Sequence, residues 1–348
     1  MYRLSTLFFL FNLIISTLFV ITSNHWFIIW ISLEINTISI IPIILTNQNR
    51  RNIEASIKYF IIQAIAASLL LNATLINFWN EGSWLISNPL NIFSNQIITI
   101  ALLLKLGLVP FHSWYPEVLQ GINLINGLLL TTWQKIAPTI ITFNIINNLN
   151  INILTFCSIS SILLGAWGGL NQTNTRKIIA FSSITHIGWI ILISIYNINL
   201  SLIMFLIYII INLSIFISLI NNNILNLANS NKSNIINPWN ASILSLSLLS
   251  LGGLPPLTGF LNKILALNIL INNNIFLSTI PLIIGSLISL FFYIRITFNT
   301  IMTTFPQNSI ILINIRNNFF NFNINAIPTI LSTVGIIILP NLINLLIV

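Results

Sequence analysis

With 348 residues, 56% of them hydrophobic and only 5% charged, the chain lacks the polar surface that a water-soluble core requires, since soluble domains carry about 25% charged residues. Its net charge of +8 comes from 12 Lys and Arg residues, thinly spread, against four glutamates and no aspartate. No basic stripe with interleaved aromatics forms, which argues against a nucleic-acid partner, and the composition implies one polytopic helical domain in contact with membrane lipid.

The N-terminus, Met1-Tyr2-Arg3-Leu4-Ser5-Thr6, lacks both an Arg/Ser-rich amphipathic transit segment and a small-residue cleavage site, so the first apolar run reads as a retained helix. A helix needs about 20 apolar residues to cross a hydrocarbon core of about 30 Å. On that basis the predicted spans are 5–22, 26–45, 57–78, 96–114, 123–145, 151–170, 177–196, 199–220, 239–271 with an interruption, 276–297 and 325–347. The connectors are runs of Asn, Gln, Ser and Thr, such as Thr46-Asn47-Gln48-Asn49 and Asn171-Gln172-Thr173-Asn174-Thr175, which read as short loops. With about eleven spans, Arg3, Arg50, Arg51, Arg176, Lys177, Lys232 and Arg316 all fall on the side of the N-terminus, as the bias of Lys and Arg to one face requires. Most of the nine tryptophans lie near span ends, where an aromatic belt sits.

A faint internal repeat is also present. Gly107-Leu108-Val109-Pro110-Phe111-His112-Ser113-Trp114 in the fourth predicted span resembles Gly253-Leu254-Pro255-Pro256-Leu257-Thr258-Gly259-Phe260 in the ninth. An odd offset in span number means inverted topology, a transporter signature when the helices are broken. The approximate repeats are 1–145 and 151–297, followed by the helix at 325–347.

Charges at membrane depth are the informative residues, because a Lys or Glu at a helix centre costs about 2.5–3.5 kcal/mol on insertion scales. They are Glu34, Lys105, Lys135 and Lys263. Pro138 follows Lys135 by three residues and Pro110 follows Lys105 by five, and the two prolines are expected to disturb the carbonyls of Gln134 and Leu106. Pro255 and Pro256 lie in a Gly/Pro interruption just before Lys263, and irregular backbone at this depth is tolerated only beside protein or a wet cavity. Desolvation favours a neutral amine and a neighbouring carboxylate favours an ammonium, so a Glu–Lys pair in low dielectric can switch a proton on and off, whereas Arg would stay charged. The bland alternative is snorkelling to an interface or a static ion pair.

His112 and His186 are candidate proton relays, since imidazole titrates near neutral pH, or else packing residues. His25, beside Trp26, reads as an interfacial anchor. The three histidines have no metal-ligand spacing. Cys157 lies in an apolar run and reads as a buried structural thiol. Glu54, Lys58 and Glu117 read as solvated or interfacial. Phosphate-binding, dinucleotide-binding and haem motifs are absent from the sequence.

These stretches together resemble a known family. Leu33-Glu34-Ile35-Asn36, Glu54-Ala55-Ser56-Ile57-Lys58-Tyr59-Phe60, Lys105-Leu106-Gly107-Leu108-Val109-Pro110-Phe111-His112, Thr132-Trp133-Gln134-Lys135-Ile136-Ala137-Pro138, Ser182-Ser183-Ile184-Thr185-His186-Ile187-Gly188-Trp189 and the Gly252–Phe260 segment resemble subunit 2 of mitochondrial NADH:ubiquinone oxidoreductase, respiratory complex I, in its shortened animal form. The resemblance implies an antiporter-like subunit of the membrane arm, with other membrane-arm subunits as partners. It implies that NADH, FMN, iron–sulfur clusters and ubiquinone are bound by other subunits and that this chain holds no cofactor. It further implies that Glu34 pairs with Lys105 and that Lys135 and Lys263 continue a polar axis. The implied location is the mitochondrial inner membrane, with the N-terminus on the matrix side and the C-terminus on the intermembrane-space side. Two other readings stand beside it: a free-standing cation/proton antiporter, against which the lack of a carboxylate cluster counts, and a structural spacer between subunits.

Overall fold

The computed structural model describes residues 2–46, 49–230 and 238–301. Among the described residues the secondary structure is helical, with two isolated bridges, His25 to Leu85 and Asn174 to Asn226, in place of any strand. The chain divides into two compact units, Met1–Ser161 and Ile162–Val348.

The first unit opens with α1 (Tyr2–Thr22) and α2 (Trp26–Ile44), which pack along one another, and continues into the 32-residue α3 (Arg50–Glu81). In α3 the residues Ala55, Tyr59, Ala66, Ala67, Leu70 and Ala73 are buried, a spacing of three and four that draws one face against α2, α4 and α5. Small side chains on that face let the backbones approach closely, which supplies the packing that water would otherwise drive. The opposite face carries exposed Ile53, Ile57, Phe60, Ile61 and Ile65, a surface suited to lipid.

Next come α4 (Ile92–Leu106), α5 (Trp114–Gly121), α6 (Leu124–Thr131) and α7 (Trp133–Ile145), with a 3-10 turn at Ile146–Asn148. The predicted spans 96–114 and 123–145 are therefore each made of shorter pieces. In the first, α4 stops at Gly107, which takes the left-handed conformation (φ 71°) that glycine adopts without a Cβ penalty. The N–H of Leu108 donates to the carbonyl of Leu103 and that of Gly107 to Leu104, the Schellman arrangement of a helix C-terminus. Pro110 thus lies in the turn beyond the helix rather than inside it. In the second, Thr132 (φ −108°, ψ −68°) separates α6 from α7.

The second unit contains α9 (Thr175–Ser194), α10 (Ile198–Asn222), the short α11 (Leu227–Ser230), α12 (Pro238–Gly252), α13 (Thr258–Asn272) and α14 (Phe276–Ile301). The helix α8 (Ile151–Leu170) crosses the division between the units. α9 is buried almost all round. The predicted interruption at 239–271 is the gap between α12 and α13. There Gly253 (φ +78°) repeats the arrangement at Gly107: its N–H donates to Ser250 and that of Leu254 to Leu249.

Among the described residues, seven helices are long and apolar enough to cross a membrane. The difference from about eleven has two sources. Three predicted spans are built from broken helices too short to qualify alone, and 325–347 lies outside the described residues. Arg295, uncounted among the loop charges, sits on α14 and donates to the carbonyl of Leu170 at 3.1 Å. It thereby satisfies an orphan acceptor at the end of α8.

Candidate functional site

In the first unit, breaks in the helices bring two of the four membrane-depth charges to one cavity. Lys105 in the last turn of α4 and Lys135 in the first turn of α7 are 6% and 3% exposed. Both line a cavity with about 20 Å³ of water-accessible space, together with Asn36, Tyr59, Gln63 and Gln134. A space of roughly 10–15 Å³ on that measure holds one water. The Lys105 Nζ makes no hydrogen bond. The Lys135 Nζ lies 4.3 Å from the centroid of the Tyr115 ring, close enough for the ring face to hold an ammonium.

Glu34 on α2 is half-buried and accepts a hydrogen bond from the Thr37 hydroxyl at 3.3 Å. It makes no hydrogen bond to Lys105. Pro138 lies inside α7 and also lines the cavity. His112 lies in the turn between α4 and α5, with its Nδ1 buried and without a hydrogen bond. His25 precedes α2 and stacks on Trp84 at 5.9 Å.

Sequence reasoning missed the polar side chains that bind these elements to one another. The Tyr59 hydroxyl donates to Gln134 Oε1 at 3.1 Å, and Gln134 Nε2 donates to Asn36 Oδ1 at 3.0 Å. Tyr59 and Asn36 are each 2% exposed and Gln134 is 9%. Gln63 Nε2 stands 3.5 Å from the carbonyl oxygen of Lys105. The available signal was position: Gln134 adjoins Lys135, and Asn36 lies two residues from Glu34.

At the edge of this unit Lys58 contacts Glu54 at 2.6 Å and Glu117 at 2.8 Å, with all three side chains at least 40% exposed. Exposed ion pairs contribute little. Lys58→Met is accordingly expected to leave NADH-driven proton transport by the assembled enzyme within about twofold of wild type, measured by dye quenching in proteoliposomes.

In the second unit Lys263 donates to the carbonyl of Gly252 at 2.7 Å. That carbonyl belongs to the last turn of α12, where acceptors lose their helical partners. A second cavity, with about 30 Å³ of water-accessible space, is lined by Lys263, Asn262, Ser250, Tyr208 and His186. His186 Nε2 is 3.4 Å from the Tyr293 hydroxyl, and its ring lies 5.8 Å from that of Tyr208. Pro255 and Pro256 occupy the turn between α12 and α13. Among the described residues no three His, Cys, Asp or Glu side chains gather into a metal-binding group.

Residues 23–289 match the family model described as NADH:quinone oxidoreductase/Mrp antiporter, and residues 290–343 match that of the NADH dehydrogenase subunit 2 C-terminus. The chain is 45% identical over 352 residues to NADH-ubiquinone oxidoreductase chain 2 of Pisaster ochraceus, covering 98% of this chain and 99% of that one. The chain belongs to the NADH-ubiquinone oxidoreductase chain 2 family. It is also 47% identical over 290 residues to the chain 2 protein of Sylvisorex granti, covering 83% of this chain and 84% of that one. In fold it is similar to a chain of respiratory complex I from Thermus thermophilus, with a TM-score of 0.84 at 21% identity over 97% of this chain and 79% of that chain. A chain of the Mrp complex from Dietzia sp. gives a TM-score of 0.74 at 14% identity, covering 84% of this chain and 59% of that chain. The antiporter-like helical membrane fold expected from the residues is the fold that these matches share.

Proposed function

We propose that this chain, a membrane subunit of NADH-ubiquinone oxidoreductase, takes part in proton translocation through its own buried lysines while other subunits carry out the redox reaction. The observation that carries this reading is the cavity shared by Lys105 and Lys135. Two amines that are nearly inaccessible, one with no hydrogen bond, border a space sized for about one water. A static structural pair would be neutralised by direct contact, because leaving an ammonium buried and unpaired is costly. An amine that exchanges its proton needs a neutral state and a water instead.

In the first unit, Lys135 and Lys105 pass a proton through the cavity, and Glu34, on α2 between the cavity-lining Leu33 and Asn36, supplies a carboxylate whose charge favours the ammonium of Lys105. In the second unit, Lys263 has its Gly252 carbonyl and the His186 cavity. His112 and His186 are relay candidates within their own units. NADH, FMN, iron–sulfur clusters and ubiquinone are assigned to other subunits, and the partners are neighbouring membrane-arm subunits. The location is the mitochondrial inner membrane, with the basic N-terminal face toward the matrix and the C-terminus toward the intermembrane space.

The test is Glu34→Gln in the assembled enzyme, which removes the charge and keeps the shape. Proton transport per electron is expected to fall about two- to tenfold, which corresponds to losing an interaction of about 0.4–1.4 kcal/mol. NADH oxidation by ferricyanide, an acceptor that bypasses the membrane, serves as the assembly control. An unchanged proton-to-electron ratio would remove Glu34 from the mechanism.

A further inference from the structure

Three helices that border the first cavity are joined by one chain of neutral side chains. Tyr59 on α3 donates to Gln134 Oε1, and Gln134 Nε2 donates to Asn36 on α2. Gln134 occupies the first turn of α7, next to Lys135, and itself lines the cavity with Tyr59 and Asn36. A carboxamide in that position is a hazard for proton exchange. Its carbonyl oxygen is a good acceptor for an ammonium, and a charge-assisted hydrogen bond is roughly twice as strong as a neutral one. If it turned toward Lys135 or Lys105 it would hold the proton there and take the place of the water. In the structure both ends of the amide are already engaged by groups that are 2% exposed, so the carbonyl stays at the wall.

We propose that Gln134 is a positioning residue for proton exchange between Lys135 and Lys105, its carboxamide held at the wall of their shared cavity by Tyr59 and Asn36. The inference rests on the proton-transfer reading of this cavity. In the step it protects, one ammonium gives a proton to the cavity water while that water gives a proton to the other, neutral amine. One lysine ends as an amine, the other as an ammonium, and the water is regenerated. The carboxamide exchanges no proton. It acts by staying out of the path, and it fixes the first turn of α7, where Lys135 is mounted, against α2 and α3. The cation–π contact with Tyr115 approaches Lys135 from α5.

The decisive variant is Tyr59→Phe, which removes the donor to Gln134 Oε1 at nearly constant volume. In the assembled enzyme in proteoliposomes, turnover with a short-chain ubiquinone is expected to fall about fivefold, the kinetic equivalent of one neutral hydrogen bond. The solvent deuterium isotope effect should rise, while ferricyanide reduction per assembled enzyme stays constant. Adding Gln134→Met in the same background removes the competing carbonyl, and turnover is expected to return to within about twofold of wild type. A purely structural network predicts the opposite, with the double variant below either single one. Gln134→Glu, a second isosteric variant, places a carboxylate beside the lysines and is expected to lower turnover about tenfold or more by trapping the proton in an ion pair. It decides the matter where Tyr59→Phe does not assemble. Wild-type turnover and isotope effect in Tyr59→Phe or in Gln134→Glu, or a double variant slower than Tyr59→Phe, would overturn the positioning role. If Lys135→Met lacks proton transport in the same experiment, the parent reading still stands when the positioning role falls. If Lys135→Met transports normally, the parent reading falls first.

Discussion

Lys135→Met is expected to abolish NADH-driven proton transport through the first unit, with a loss of at least about 100-fold in that path, because a positioned acid–base group contributes roughly 10²–10⁴ in rate. Methionine matches the length and flexibility of the lysine stem and fills irregular apolar space well. The side chain is 3% exposed and lies against the Tyr115 ring. Replacing a buried charge with an apolar group of similar volume is often neutral or stabilising, so assembly should survive. The amount of enzyme on native electrophoresis and its ferricyanide reduction should therefore match wild type, while dye quenching in proteoliposomes falls further than ubiquinone-linked turnover, so that the proton-to-electron ratio drops. A wild-type proton-to-electron ratio in this variant would sink the proton-transfer reading. A reduced amount of assembled enzyme with normal transport per assembled copy would favour a structural spacer.

That experiment turns on a residue visible in the sequence, because a lysine at membrane depth is conspicuous against 5% charged composition. The lengths of α2, α9 and α10 were legible for a related reason: each is an apolar run between polar connectors, and in lipid such a run must be helical. The helix breaks were only half legible. Gly107 and Gly253 could be seen as a repeated motif, but whether the proline after them kinks a helix or lies beyond its end depends on where the C-terminal hydrogen bonds close. Nothing in hydropathy reports that. Least legible was the Tyr59–Gln134–Asn36 chain, whose members come from three helices and are neutral. Neutral polar residues are abundant in so Asn-rich a chain, and only the crossing of α2, α3 and α7 distinguishes these from loop asparagines. Glu54, Lys58 and Glu117, read as solvated, do lie at the exposed edge of the unit, but their ion pairs needed the fold to bring α5 beside α3.

Gly259→Ala is expected to be the most damaging substitution of a single hydrogen by a methyl group in the second unit. A Cβ at this position would stand 1.8 Å from the carbonyl oxygen of Ser250 and 2.9 Å from its carbon. Both clashing groups are backbone, so no side-chain rotation relieves the overlap and the first turn of α13 must move away from the last turn of α12. The displaced carbonyl is the acceptor for the N–H of Gly253 at 3.1 Å, so the Schellman turn that ends α12 opens with it. Gly253 in turn packs against the stem of Lys263, whose Nζ is held by the Gly252 carbonyl. The cost should therefore be about 3 kcal/mol or more, at or above the upper end of ordinary overpacking, and it should reach the functional lysine as well as the fold. Gly82→Ala supplies the comparison. Gly82 also has a positive φ (+68°) but nothing lies within 4 Å of its added Cβ, so that variant bears only the left-handed backbone penalty of about 1–2 kcal/mol. On native electrophoresis Gly82→Ala should assemble near wild-type levels while Gly259→Ala is largely lost. Equal assembly of the two would mean that α12 and α13 separate freely, and then the Gly252 carbonyl could not be what fixes Lys263.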